Sequence, residues 1–320
     1  MSVLVTGTYR DMINGMAITC MIFALAVYMP LLGFFISLSL PLPTLFYRVK
    51  LGRAGGMVIP VCSAFIMAMI LGNMSFDMLF FTALLLLGFM LGELFEKNLP
   101  LEKTVIKTVG TVTAFGILAL TMYGSFAGTG LSMLISEYVR HNLQMSIQLY
   151  ESMGMPKETI RIISDSLDTI HYIMVRIIPS LTISLALLIT WTTLLIAKPM
   201  LMRSNLFYPK FGSLNKWKAP DKLVWIVIGC GFMLFLPDKA VKMIAVNGLI
   251  ILMTIYFFGG IAITSYFFEK KKLPLLVRAF FYSLIALWQV ALFLVIGIGF
   301  FDIWFNFRKL ETIGDENQQT

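Results

Sequence analysis

The sequence predicts an all-α membrane protein, a bundle of about eight spanning helices with an amphipathic helical hairpin between the fourth and the fifth span. Hydrophobic residues make up 58% of the 320 residues and charged residues only 13%, which lies far from the averages of soluble domains. The apolar runs are also continuous over about 17 to 25 residues, the length that a helix needs to cross a bilayer. Strands of a membrane barrel would instead alternate over about ten residues, so the runs indicate helices.

The N-terminal membrane helices are predicted within residues 1–124. The first apolar segment, about 12–40, is interrupted by Pro30 and followed by a Pro41-Leu42-Pro43 turn. One kinked span and two short half-spans therefore both remain open. No A-x-A-like cleavage site ends this segment, so we do not expect a secretory signal peptide. Three further spans are predicted at 55–71, 78–95 and 104–122.

Residues 125–176 form the most patterned part of the chain. Six apolar residues repeat there at alternating steps of three and four, as one face of a helix requires: Ile160, Ile163, Leu167, Ile170, Met174 and Ile177. An earlier helix, about 131–153, divides into polar and apolar faces in the same way, and Gly154 and Pro156 separate the two helices. We expect a helical hairpin that lies on the membrane surface or caps the bundle.

The C-terminal membrane helices are predicted within 177–309, and 310–320 is predicted to be a disordered polar tail. Four spans are expected at 178–197, 224–236, 240–268 and 279–301. The loop after the first of these holds six cations against Asp221 alone: Lys198, Arg203, Lys210, Lys216, Lys218 and Lys222. By the positive-inside rule this loop is cytoplasmic. The alternation then predicts a multi-pass protein of the cytoplasmic membrane whose hairpin and C-terminal tail lie outside.

The basic clusters also explain the net charge of +8. They lie between apolar runs and carry neither interleaved aromatic residues nor the fold signature of a nucleic-acid-binding module. We therefore expect no nucleic-acid partner, and membrane lipid as the surrounding of most of the chain.

Motifs for catalysis and phosphate binding are absent from the sequence. It contains no G-x-x-x-x-G-K-[ST], no H-E-x-x-H and no G-x-S-x-G. We therefore expect neither an enzyme nor a protein with its own ATPase. Asp165, Asp168 and His171 are spaced by three on one helix, which is a weak ligand set and better explained as a solvated face. The three cysteines lie within apolar runs and lack metal-ligand spacing, so no metal or cofactor is predicted.

Polar residues within the apolar runs are the better functional candidates, because burying them in lipid costs free energy. Glu93 lies near the end of one span, Asn247 within another, and Trp288 and Gln289 within the last; Trp191 lies in a polar belt of threonines. These five side chains are candidates for lining a substrate site, and we predict that Glu93, Asn247 and Gln289 line one cavity for a small molecule. Ordinary hydrogen bonding between helices is the alternative for each.

Four segments match a known family in the order in which they occur: Leu40-Pro41-Leu42-Pro43, Ile178-Pro179-Ser180-Leu181, the basic loop with Phe211, Trp217, Pro220 and Trp225, and the ending 299–309 with Asp302, Trp304 and Arg308. They resemble the YybS-like predicted membrane proteins, domain of unknown function 2232. The resemblance covers nearly the whole chain. It implies that Asp302, Trp304 and Arg308 make a family-specific contact; the physical reading is an interfacial aromatic beside an Asp302–Arg308 ion pair.

The family is uncharacterised, but it is more distantly similar to the substrate-binding membrane subunits of energy-coupling-factor transporters. Those subunits bind a vitamin or metabolite and depend on a separate transmembrane coupling subunit with ATPases. The resemblance therefore implies a small-metabolite-binding or transport component with such partners. A non-transporting scaffold or envelope-maintenance protein, acting through the amphipathic hairpin, is the alternative. The Ala-x-x-x-Ala docking pattern of those subunits is absent, and the nearest spacing is Cys20 to Ala24.

Overall fold

A computed structural model describes residues 2–29, 32–72, 76–126 and 128–308. Within these ranges the chain forms α-helices and one 3-10 turn, Leu214–Lys216, but no strand. The all-α fold class is therefore confirmed. The predicted interruption at Pro30 and the predicted disordered tail, 310–320, lie outside the described residues.

Twelve α-helices occur in the described part of the chain. They are α1 Ser2–Tyr28, α2 Gly33–Ser37, α3 Pro41–Leu71, α4 Phe76–Glu96, α5 Leu101–Phe126, α6 Leu131–Ser152, α7 Lys157–Asp165, α8 Leu167–Arg203, α9 Leu223–Met233, α10 Lys239–Lys270, α11 Leu275–Leu287 and α12 Gln289–Phe305.

Six of the described segments are long and apolar enough to cross a membrane. They are Thr8–Tyr28, Gly33–Leu71, Asp77–Glu96, Leu101–Phe126, Leu167–Arg203 and Lys239–Lys270. A seventh span results if α11 and α12, which are bent by 101° at their junction, count together. The predicted number of about eight is thus not confirmed, chiefly because α9 has 11 residues. A helix of that length measures about 16 Å, against roughly 30 Å of hydrocarbon.

A sharp break divides α3 at Gly52, whose φ of 75° and ψ of −174° suit a residue without a Cβ. The limbs on either side pack closely, since a Cβ built at Gly56 would lie 2.6 Å from the Arg48 Cα. The Pro41-Leu42-Pro43 segment, predicted as a turn, instead forms the first turn of α3, where a proline costs no helical hydrogen bond. The basic residues near position 50 therefore mark a reversal of the chain.

The described residues form two compact units. The first unit holds the described residues of 1–175 and 185–210, and the second holds those of 176–184 and 211–320. In the first unit, α3 packs against α1 and α4, and α4 packs against α5. In the second unit, α10 packs against α9 and α12 around a buried cluster that includes Ala245, Leu252 and Tyr256.

The amphipathic segment in the first unit is a helical hairpin whose second arm is divided at Ser166 into α7 and the start of α8. His171 Nε2 lies 2.9 Å from the Ser136 carbonyl oxygen and joins the two arms. Arg140 Nη2 lies 3.8 Å from an oxygen of Asp168. Among the described residues, no three His, Cys, Asp or Glu side chains are placed to hold a metal ion.

Candidate functional site

An ion cluster around a buried arginine joins α3 to α4 in the first unit, with Glu96 and Arg53 on its exposed side. The Arg48 side chain is 0% exposed. Its Nε and Nη2 donate to Glu93 Oε1 at 2.9 and 2.6 Å, and its Nη1 and Nη2 donate to the two oxygens of Glu96 at 2.8 and 2.9 Å. The planar guanidinium therefore binds two carboxylates, the arrangement that gives arginine its strongest ion pairs.

Small residues make room for this guanidinium. A Cβ built at Gly92 of α4 would lie 2.9 Å from the Arg48 Cβ, so a larger residue there would displace the arginine stem. The Phe89 ring centroid lies 5.7 Å from the guanidinium carbon, close enough for a cation–π contact. Arg53 Nε adds a weaker contact, 3.4 Å from Glu93 Oε1. The cluster thus holds two cations and two carboxylates and is neutral as a whole.

Glu93 was predicted to line a cavity or to snorkel to the interface. The structure places it in the ion cluster, with one oxygen shared by Arg48 and Arg53. Sequence reasoning missed Arg48 as its partner because the two residues are 45 positions apart. The available signal was Glu93 and Glu96, one turn apart on a helix, together with an arginine that follows an apolar run.

In the second unit, Asn247 of α10 bonds to the backbone of α8 beside Pro179. Asn247 Nδ2 donates to the Arg176 carbonyl at 3.0 Å, and Asn247 Oδ1 accepts from the Ser180 amide at 3.2 Å. In a regular helix the Ser180 amide would donate to the Arg176 carbonyl, four residues earlier. Pro179 lacks an N–H and disturbs the preceding turn. The Asn247 carboxamide therefore binds the backbone groups next to the proline.

We expect Asn247→Leu to lower the free energy of unfolding by about 1–2 kcal/mol, because two backbone groups in an apolar environment lose a partner. The measurement is SDS-induced unfolding of the purified protein in mixed micelles. Thr254→Val is the matched control, since the Thr254 hydroxyl only donates to Ile250 in its own helix, at 2.9 Å. Equal losses for the two variants would contradict a bridging role for Asn247.

Trp288 and Gln289 lie at the junction of α11 and α12. Trp288 has an extended backbone, with φ −105° and ψ 111°, and the two helices are bent by 101° there. No charged residue occurs between Arg278 and Asp302, so the junction falls in the middle of an uncharged stretch. It is also exposed, with Leu287 at 87% and Trp288 at 53%. The predicted last span is therefore two half-helices.

The family-motif residues form a second buried ion pair, at the end of α12. Arg308 Nη2 lies 2.7 Å from Asp302 Oδ2, and both side chains are almost fully buried. Arg308 Nη1 also donates to the carbonyls of Asn215 and Trp217, at 3.0 and 2.9 Å. Asp302 lies in the last turn of α12, and Arg308 reaches back to it because the helix ends at Phe305 and the chain turns at Asn306 with φ 39°. Trp304 is exposed beside it.

Asn215 links the ends of two helices in the second unit. Its carbonyl accepts from Arg308, and its side-chain amide donates to Glu269 in the last turn of α10. The residues after α12 thus lie beside the basic loop and beside the end of α10. This placement favours a re-entrant α11–α12 pair, in which the chain returns to the side from which it entered, over the single span that would put the tail outside.

We expect residues 213 and 307 to be accessible from the same, cytoplasmic side of the membrane. The test places Ser213→Cys or Phe307→Cys in a chain whose three cysteines are replaced by serine, and labels it with a membrane-impermeant maleimide. Both cysteines should react in inverted vesicles and not in spheroplasts, whereas Lys157→Cys in the hairpin should react in spheroplasts. Labelling of Phe307→Cys from outside would contradict the re-entrant arrangement.

Trp191 belongs to the part of α8 that lies in the first unit. It is buried, and the neighbouring Thr190 and Thr193 hydroxyls are buried without a hydrogen-bond partner among the described residues. Tyr208, in the loop after α8, donates to the Leu194 carbonyl at 3.3 Å. Burial raises the pKa of Tyr208 to about 12, so this hydroxyl stays protonated and remains a donor at neutral pH.

The predicted cavity residues are divided between the units, with Glu93 and Trp191 in the first and Asn247, Trp288 and Gln289 in the second. Their convergence on one cavity stays a prediction. A cavity of about 240 Å³ does occur between α4 and α5 of the first unit. Its lining is almost wholly apolar, includes Met78, Phe115 and Phe126, and contains none of the predicted residues.

Comparisons with known proteins agree with the membrane architecture. The model of a family described as predicted membrane protein, DUF2232, matches residues 17–303. An uncharacterised protein of Bacillus subtilis (strain 168), YybS, is 21% identical over 260 residues, which cover 78% of this chain and 81% of the relative. No solved structure matches the chain. The more distant similarity to energy-coupling-factor subunits is not shown by these comparisons and stays an expectation.

Proposed function

The chain belongs to the DUF2232 family of predicted membrane proteins, and from that premise we propose that it is a small-metabolite-binding or transport component of the cytoplasmic membrane. It has no ATPase of its own and works with a separate transmembrane coupling subunit. The lack of a nucleotide-binding motif in the sequence supports this division of labour.

The observation that carries the proposal is the exposed junction between α11 and α12. Irregular backbone at membrane depth is tolerated only where it is covered by protein or lines a water-filled cavity. The junction at Trp288 interrupts an uncharged stretch and is exposed in the described structure. It therefore needs either a polar cavity or a protein partner, and a substrate-binding component with a coupling subunit supplies both.

Half-helices are also a recurring device of transporters. Their ends place unpaired backbone groups and partial charges at membrane depth, where a polar substrate can use them. Gln289 occupies the first position of α12 and is exposed, and its carboxamide can both donate and accept hydrogen bonds. We assign Gln289 and Trp288 to the substrate contact in this proposal.

The test is mass spectrometry of gently extracted protein, with retained small molecules and co-purifying subunits recorded in one preparation. We expect a retained metabolite, a transmembrane partner, or both. Gln289→Leu should reduce retention of the metabolite at least tenfold, which corresponds to about 1.4 kcal/mol. Gln148→Leu, the same change at an exposed position of α6, should leave retention unchanged. If neither a small molecule nor a subunit is retained by the natural chain, the proposal fails.

A scaffold function is the second candidate, favoured by the exposed hairpin. No residue of α7 is buried in the described structure, and apolar side chains such as Met133, Met153 and Ile162 are exposed on the hairpin. An apolar face of this kind suits a docking surface or the membrane interface.

Removal of α7 distinguishes the two functions. If the chain is a scaffold, replacing 157–165 with a Gly-Ser linker of equal length should abolish a specific protein partnership. If the chain is a metabolite-binding component, the property lost should be metabolite retention, and the change that removes it is Gln289→Leu. An unchanged set of partners after this replacement would count against the scaffold.

A further inference from the structure

One end of the second unit gathers more lysines than its carboxylates can pair. The 3-10 turn Leu214–Lys216 packs against α10, and Asn215 bonds to both Glu269 and Arg308. Lys270, Lys271 and Lys272 follow Glu269 directly in the sequence. The turn and the lysine triad therefore lie at the same place.

Two of the carboxylates at this end are paired with cations, and the third is hydrogen-bonded to a neutral amide. Asp302 binds Arg308 at 2.7 Å, Asp221 lies 3.3 Å from Lys218, and Glu269 accepts from Asn215. The four lysines of the 3-10 turn and the triad are exposed and have no carboxylate within 4 Å among the described residues: Lys216, Lys270, Lys271 and Lys272. This end of the unit therefore presents a compact positive surface.

Exposed apolar side chains border the lysines. Leu275 and Leu276 follow the triad and are 80% and 84% exposed. Trp304 and Phe305, the last two residues of α12, are exposed as well. Tryptophan and other aromatics concentrate at the boundary between hydrocarbon and headgroups. A lysine cluster bordered by exposed apolar and aromatic side chains is the arrangement that suits the boundary between headgroups and hydrocarbon.

We propose that Lys216 and the Lys270–Lys272 triad bind the phosphate headgroup of an anionic phospholipid, whose acyl chains lie against Leu275 and Leu276. Clusters of four or more lysines next to a spanning helix attract anionic headgroups, with each lysine contributing about a fivefold gain in affinity. The exposed leucines favour a lipid over a soluble phosphate, because a free ion gains nothing from an apolar border. This site does not depend on the proposed transport role.

Native mass spectrometry of the full chain in detergent tests the proposal, with phosphatidylglycerol and phosphatidylcholine of equal chain length as probes. We expect phosphatidylglycerol to bind more tightly. Lys270→Gln/Lys271→Gln should weaken it about 30-fold, and Lys216→Gln about 5-fold, with little change for phosphatidylcholine. Lys239→Gln/Lys242→Gln is the matched control, since it removes the same charge at the other end of α10 and should have no effect.

Three results would overturn the proposal. Equal binding of the two lipids would exclude recognition of the headgroup charge. An equal loss in the control pair would show that net charge, and not this place in the fold, decides the affinity. Full displacement of the lipid by inorganic phosphate would assign the lysines to a soluble anion. Thermal unfolding of every variant in the same detergent confirms that the comparison is made on folded protein.

Discussion

Replacing Arg48 with methionine is expected to lower the free energy of unfolding by about 3–5 kcal/mol, the cost of leaving one partner of a buried ion pair without the other. Glu93 is 14% exposed and would keep only the weaker contact with the exposed Arg53, at 3.4 Å. The methionine would fill much of the space of the arginine stem beside Gly92. The loss of stability therefore reports mainly on the missing charge of the guanidinium. Unfolding by SDS in mixed micelles measures the change.

Arg53→Met is the control within the same cluster. The Arg53 side chain is 78% exposed and lies 3.4 Å from Glu93, and an exposed pair contributes at most about 1 kcal/mol. The double variant Arg48→Met/Glu93→Gln should recover part of the loss, because it removes the unpaired charge. If Arg48→Met were no more harmful than Arg53→Met, the ion cluster would not be a stabilising feature of the first unit.

Replacing Arg308 with methionine is the second change for which we expect a loss of about 3–5 kcal/mol. It leaves Asp302 buried without its cation, and the carbonyls of Asn215 and Trp217 lose a donor. Because these carbonyls belong to the loop 211–222, the loop should also become more sensitive to proteolysis. Limited trypsin digestion of inverted vesicles measures that effect directly.

Lys218→Met provides the comparison for this pair, since its partner Asp221 is 69% exposed and the expected loss is below about 1 kcal/mol. Lys218→Met also removes a trypsin site, so cleavage is to be scored at the other lysines of the loop. Equal protection of the loop in Arg308→Met and in the natural chain would contradict its attachment to the end of α12.

The long helices could be predicted from the sequence because continuous apolar runs leave the backbone no other way to satisfy its hydrogen bonds in lipid. The division of the last predicted span into the half-helices α11 and α12 could not be predicted. Hydropathy averages over α11 and α12 as if they were one span, and it does not register the extended backbone of Trp288. Similarly, α9 has the composition of a span and half the length.

The residues of the candidate site were also only partly predictable from the sequence. Glu93 and Asn247 were recognisable as costly residues in apolar surroundings, and each makes part-buried or backbone hydrogen bonds. Their partners were harder to predict, because pairing at a distance depends on helix packing. Arg48 is 45 residues from Glu93, and Asn247 is 67 residues from Ser180. Only Asp302 and Arg308, six residues apart, were close enough for the sequence to suggest the pair.

The Arg48 cluster has a consequence for the biosynthesis of the protein. An unpaired arginine in an apolar segment opposes the release of that segment into the bilayer, by up to about 2.5–3.5 kcal/mol at a helix centre on insertion scales. Arg48 leaves the ribosome well before Glu93 and Glu96 are made. We therefore expect the segment that carries it to stay at the water boundary until α4 arrives, and the two helices to enter the membrane together.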